Sequence, residues 1–240
     1  MAVHPTALVD PDAIVSDTAT IGPYSIVGKA SIGDGAVIHA HCVISDNVTI
    51  GDGVEVFPGA FLGKEPKGAG ATSRKVDFNR ILSIGNSCSV GPNVVIYYDV
   101  KIGDNTLVGD GASIREKCVI GERCIISRCV TINYATQIGS GTKIMDNTHI
   151  TGNAIIGSNV FISTMVGTTN DNVIRAGYGD HVVGPTIEDD VVIGVRASLL
   201  TAVRIGTASM VAAGSVVTKD VPAGVVVAGV PARFVRRLEV

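Results

Sequence analysis

Of the 240 residues, 46% are apolar but only 4% are aromatic, none is Trp and 29 are Gly. That excludes a disordered chain, which lacks apolar mass, and a core bulked out by large rings. With 19 basic residues against 22 acidic ones and a net charge of −3, the chain also lacks the basic excess of a general nucleic-acid binder.

No apolar run approaches the roughly 18 residues of a membrane span. Met1-Ala2-Val3-His4-Pro5 has neither the basic start nor the apolar stretch of a secretory signal. A cytoplasmic protein with no membrane or nucleic-acid partner is expected.

A period of six runs through the chain. From residue 8, every sixth position reads Leu8, Ile14, Thr20, Ile26, Ile32, Ile38, Ile44, Ile50, Val56 and Leu62. After a gap it resumes at Ile84 and continues without a break to Ile162, then runs from Ile187 to Val217 after a second gap. Every position but Thr20 is aliphatic, and Thr20 has Ile21 beside it. In the later two blocks the residue four places on is always Ala, Ser, Thr, Val or Cys.

A helix turns by about 240° over six residues, so such positions form no stripe on it. A solenoid accounts for them. Each hexad is a short strand and a turn, three hexads close a triangular coil, and the aliphatic residue points inward with the small one at the corner. Gly often follows the aliphatic position (Gly85, Gly91, Gly103, Gly109, Gly121), where a permissive turn is expected. About ten coils at roughly 4.8 Å each give a prism about 50 Å long.

This pattern resembles the hexapeptide-repeat family, which implies an all-β, single-stranded, left-handed parallel β-helix. It places the β-helix catalytic domain at 1–222, with insertions at 63–80 and 163–186, and a capping tail at 223–240. Cys42, Cys88, Cys118 and Cys124 fall at the small inward position with Cys129 nearby. They read as buried small hydrophobes rather than disulfides or zinc ligands.

The gaps are candidate sites, because a solenoid accommodates insertions only as outward loops. The first carries Lys64, Lys67, Arg74, Lys75 and Arg80 against Glu65 and Asp77. It is either a clasp for a phosphate-bearing ligand or a solvated excursion. His149 sits beside inward Ile150, so strand alternation points it outward.

Asn147-Thr148-His149-Ile150 resembles a segment of the UDP-N-acetylglucosamine O-acyltransferases, which implies His149 as general base. That family's second histidine is absent from Ile150-Thr151-Gly152. The alternative is a polar surface or interface histidine. His39 and His41 lack the spacing of the zinc-binding γ-class carbonic anhydrases of this fold, and no metal is expected.

The second gap holds Thr168-Thr169-Asn170-Asp171-Asn172 beside Arg175, Tyr178, Asp180 and His181. With Pro185-Thr186-Ile187-Glu188-Asp189-Asp190 it resembles bacterial nucleotide-sugar amino-group N-acyltransferases. The resemblance implies a sugar site at Asn170 and Asp171 with Thr169 and Arg175, and Lys64 and Arg74 are added from the first loop. Turn formation is the plainer role for such residues.

Val216-Val217-Thr218-Lys219-Asp220-Val221-Pro222 and Val227-Ala228-Gly229-Val230-Pro231-Ala232-Arg233 resemble the closing segment of coenzyme A-dependent hexapeptide acetyltransferases. That implies Ala213 and Thr218 on pantetheine and Lys219, Arg233 and Arg236 near phosphates. Capping of the open edge is the other role for this segment.

The chain stops at Val240, where the lipid A acyltransferases carry a helical domain. Free acyl-CoA is therefore the expected donor. The combined expectation is a homotrimeric N-acyltransferase, with acetyl as the leading acyl group. Its acceptor is a nucleotide-linked amino sugar for bacterial surface glycan. The alternatives are O-acylation of a sugar hydroxyl and a non-catalytic structural β-helix.

Overall fold

The computed structural model describes residues 2–68, 76–171 and 182–238. The described residues form strands and turns only, so none of them builds a helix long and apolar enough to cross a membrane. Strands of mostly two residues stack into three sheets of 13, 11 and 10 strands, each coil giving one strand to each sheet. All pairings are parallel except the last, between Val225–Ala228 and Arg233–Arg237. The first sheet thus continues past residue 222, and the stack has about twelve turns rather than ten.

Inward residues form ladders. Ile38, Ile44, Ile96, Ile114, Ile126, Ile132, Ile144 and Ile150 are all buried. The small corner residues are buried too, and several with a polar hydrogen donate it to a backbone carbonyl. Thr106 Oγ1 donates to the Gly121 carbonyl at 3.0 Å and Thr142 Oγ1 to that of Gly157 at 2.7 Å. Cys118 Sγ does the same to Asn133 at 3.1 Å and Cys42 Sγ to Phe57 at 3.2 Å. Burial raises these thiol pKa values, that of Cys118 to about 12.

Other expectations change as well. In the first coils, Leu8, Ile14, Thr20 and Ile26 face outward, while Ile21 and Val27 are buried. The frame slips because the step from Val27 to Ile32 is a residue short. Ala30 N bonds back to Gly28 O, whereas a regular turn closes as Ala13 N to Asp10 O. The second insertion also begins later. Gly167–Thr168 is a regular strand of the second sheet with Thr168 inward and buried, so that excursion runs over 169–185.

The glycines after the inward residues do not supply turn freedom. A β-carbon on Gly103 would stand 2.6 Å from Glu122 N, and one on Gly91 2.8 Å from Asp110 N. They are Gly because the next coil passes too close for a side chain. Positive φ occurs elsewhere in the turn, at Asn93, Asn105, Asn147, Asn153 and Gly141, and also at Met165, Arg196 and Ala208.

Candidate functional site

Both insertions leave the second sheet and return on the third. The first follows Phe61–Lys64 and precedes Leu82–Ile84, and the second lies between Gly167–Thr168 and Thr186–Ile187. One edge of the prism therefore carries both loops. The same corner in other coils supplies Tyr97-Tyr98, Arg115-Glu116, Asn133-Tyr134, Thr151-Gly152 and Thr218-Lys219. The repeat makes this juxtaposition, since residues one coil apart stack in register.

His149 lies on the outer face of the second sheet, between Thr131 and Gly167 in the adjoining coils. Its Nδ1 is 2.7 Å from Thr131 Oγ1. Partial burial lowers its pKa from the usual 6.5 and so favours the neutral ring. When Nδ1–H donates to Thr131, Nε2 keeps its lone pair toward solvent. Beyond Gly167 the outward column continues with Ser198 and Val216.

Thr168, which the gap reading grouped with the loop, belongs to the frame behind His149. Its Oγ1 accepts from Thr151 N at 2.8 Å and donates to His149 O at 3.2 Å. Asn170 is held beside the same coil, its Nδ2 donating to Gly152 O at 3.1 Å and meeting Tyr134 Oη at 3.5 Å. Thr169 Oγ1 is 3.3 Å from Thr201 Oγ1 in the next coil. Asp171 adjoins Asn170 at the start of the insertion. Arg175, Tyr178, Asp180 and His181 lie outside the described residues, as does Arg74.

Lys64 is on the same sheet but not beside His149. Phe61 precedes His149 by four coil steps, through Val95, Ser113 and Thr131, or about 19 Å. Lys64 Nζ donates to Tyr97 Oη at 2.6 Å, and Arg115 lies 5.0 Å from the Tyr97 ring centroid. Arg80 pairs with Glu65, and Lys117 reaches Asp77 at 3.2 Å. These contacts tie the described ends of the first insertion to the prism. Lys64, Glu65, Arg80 and Tyr98 line a cavity of about 520 Å³ floored by Ile26, Val43 and Phe61.

At the other end Val216 lies three coil steps above His149, about 14 Å. Thr218 and Lys219 follow on the shared edge, and Ala213 sits on the preceding corner, packed over Gly194. Lys219 and Arg233 line a second cavity of about 310 Å³ with Pro222, Ala232 and Phe234. Arg236 pairs across the closing ribbon with Val226 and is exposed.

His39 Nε2 hydrogen-bonds with Glu55 Oε1 at 2.8 Å and the ring stacks on Phe57, and His41 stacks on Tyr24. Among the described residues no three His, Cys, Asp or Glu side chains gather to hold a metal. Sequence reasoning missed Thr131, Tyr134, Gly167 and Ser198. The signal for them was the coil length, which sets each beside His149 or Asn170.

Residues 29–64, 82–116, 99–134 and 135–170 match the family described as bacterial transferase hexapeptide (six repeats). Over 53 residues the chain is 60% identical to the 2,3,4,5-tetrahydropyridine-2,6-dicarboxylate N-acetyltransferase of Clostridium perfringens, covering 22% of each chain. Over 51 residues it is 57% identical to that of Staphylococcus aureus, covering 21% of each. The chain thus spans about a fifth of the length of the curated relatives it matches.

Among solved structures, the UDP-N-acetylglucosamine O-acyltransferase of Moraxella catarrhalis aligns over 98% of this chain and 74% of its own, at 25% identity and a TM-score of 0.57. The Francisella novicida UDP-N-acetylglucosamine acyltransferase, at 20% identity and a TM-score of 0.53, shares the fold over 98% of this chain and 69% of its own.

Proposed function

The chain belongs to the bacterial transferase hexapeptide family, and from that premise we propose that it transfers an acyl group, acetyl in the leading case, from coenzyme A to the amino group of a nucleotide-linked amino sugar. The observation that carries this reading is the outward imidazole of His149, held by Thr131 and with its neutral form favoured by partial burial.

In this reading Nε2 of His149 removes a proton from the sugar ammonium. The amine attacks the thioester carbonyl, and the tetrahedral adduct releases its second N–H proton to solvent as it collapses and expels the coenzyme A thiolate, which takes the first proton from the imidazolium. Thr169, Asn170 and Asp171 hold the sugar beside the base. The thioester arm runs up the shared edge toward Ala213 and Thr218, and Lys219, Arg233 and Arg236 meet its phosphates. Most of the acceleration comes from holding amine and thioester together.

Lys64, about 19 Å along the prism from His149, is assigned to the phosphates of the acceptor's nucleotide rather than to its amine. The test is thiol release on mixing acyl-CoAs with a panel of amino-sugar nucleotides. No release with any amino sugar overturns the reading.

Two other acceptors have specific support. The whole-length likeness to the Moraxella catarrhalis protein favours a sugar hydroxyl, and the short, 60% identical match favours a cyclic imino dicarboxylate. The same assay, with UDP-N-acetylglucosamine and with tetrahydropyridine-dicarboxylate added to the panel, separates them.

A further inference from the structure

Among the described glycines of the coils, Gly167 stands apart. Each of the others either adopts positive φ or has neighbouring atoms within 3 Å of where a β-carbon would lie. Gly167 has neither constraint, and nothing described lies within 4 Å of its β-position. Neither the local backbone nor the packing of this protomer calls for glycine there.

Its position is specific. Gly167 pairs with His149 below and Ser198 above, so its missing side chain leaves a notch between an imidazole and a hydroxyl on the outer face. Its own amide donates to Ala197 O at 3.1 Å and is already engaged in the coil stack. What the notch offers is room rather than a main-chain donor. Both walls are polar, which suits a hydroxyl- and amine-bearing body and not an alkyl chain.

We propose that Gly167 is a specificity-determining residue, the notch that admits the polar body of the acceptor against His149, with Ser198 as its second hydrogen-bonding wall. The proposal rests on the amino-sugar reading and assigns part of its acceptor site. The walls stand one coil, about 4.8 Å, to either side, so the notch is narrow, and a single methyl group in a closely fitted space changes recognition about tenfold or more.

The test compares the parent protein with Gly167→Ala, Gly167→Val and Ser198→Ala, using UDP-glucosamine as acceptor probe and acetyl-coenzyme A as donor. The expected result is a rise in acceptor KM of about tenfold for Gly167→Ala, a larger rise for Gly167→Val and a smaller one for Ser198→Ala. Donor KM and melting temperature stay unchanged, and calorimetry with UDP-glucosamine alone follows the same order.

An unchanged acceptor KM in both Gly167 variants overturns the notch while leaving the transferase reading in place. A rise in donor KM instead assigns the space to the thioester and also overturns it. If the parent protein neither binds nor acylates UDP-glucosamine while releasing thiol with another amino sugar, that sugar replaces it as the probe in the same comparison. Failure with every amino sugar overturns the reading and the notch with it.

Discussion

Thr131 Oγ1 stands 2.7 Å from Nδ1 of His149, one coil away on the outer face of the second sheet. A hydroxyl performs the orienting role. It selects a reactive tautomer only when Nδ1 carries the proton. Thr131→Val keeps the shape and removes the oxygen, so turnover falls about tenfold with acyl-CoA affinity unchanged. Thr131→Ser restores the activity.

The pH profile follows from the direction of the His149 shift. Burial disfavours the imidazolium, so the pKa lies below 6.5. The base form is present above that pKa and is lost as pH falls through it. The rate therefore has an acid limb with its inflection below pH 6.5. His149→Ala removes that limb and lowers turnover about 100-fold or more. An unchanged rate and profile in that variant exclude the base role.

Tyr134 lies across Gly152 so closely that a β-carbon there would meet the ring at 2.7 Å. Gly152→Ala displaces the ring, and with it the contacts of Asn170 to Gly152 O and Tyr134 Oη. Acceptor KM rises in this variant and its melting temperature drops, corresponding to about 1–3 kcal/mol of overpacking. That loss of stability distinguishes it from the Gly167 variants.

Cysteine chemistry divides cleanly. Cys42, Cys88, Cys118 and Cys124 are buried, whereas Cys129 is exposed. A thiol reagent titrates one equivalent in the native protein and all 5 after denaturation. Fast native reaction of a second thiol would contradict the burial.

The turns hold residues with a β-carbon in left-handed backbone, Ala208 at φ 53° among them. Ala208→Gly relieves a cost of about 1–2 kcal/mol and adds an unfolded-state entropy cost of about 0.5–1 kcal/mol. The expected net result is a stabilisation of a few tenths to about 1 kcal/mol, read from denaturant melts. Gly194→Ala does the opposite, because its β-carbon would stand 2.5 Å from Ala213 N.

The ladder from Ile32 onward was legible because aliphatics repeat there every six residues within each block. The first coils were not. Leu8, Ile14 and Ile26 are aliphatic in the outward position too, so composition alone did not reveal the slip at Gly28–Ala30, although Ile21 beside Thr20 hinted at it. Thr168 was assigned to the loop because it is polar, yet its hydroxyl is satisfied inside the coil by Thr151 N and His149 O.

His149 was found from its motif, whereas Tyr134 and Gly167 required coil-to-coil register. The glycines read as flexible turns answer instead to the closeness of the neighbouring coil.

The stack also sets the size of the site in discrete units. His149, Gly167, Ser198 and Val216 occupy successive coils, so the distance between reaction centre and phosphate end changes only by whole coils, about 4.8 Å at a time. Removing the coil that carries Ser198, between Gly167 and Val216, would leave every inward ladder continuous while shortening the donor groove by one unit. For such a molecule, gene duplication or loss of a single repeat is a change of substrate length rather than of fold.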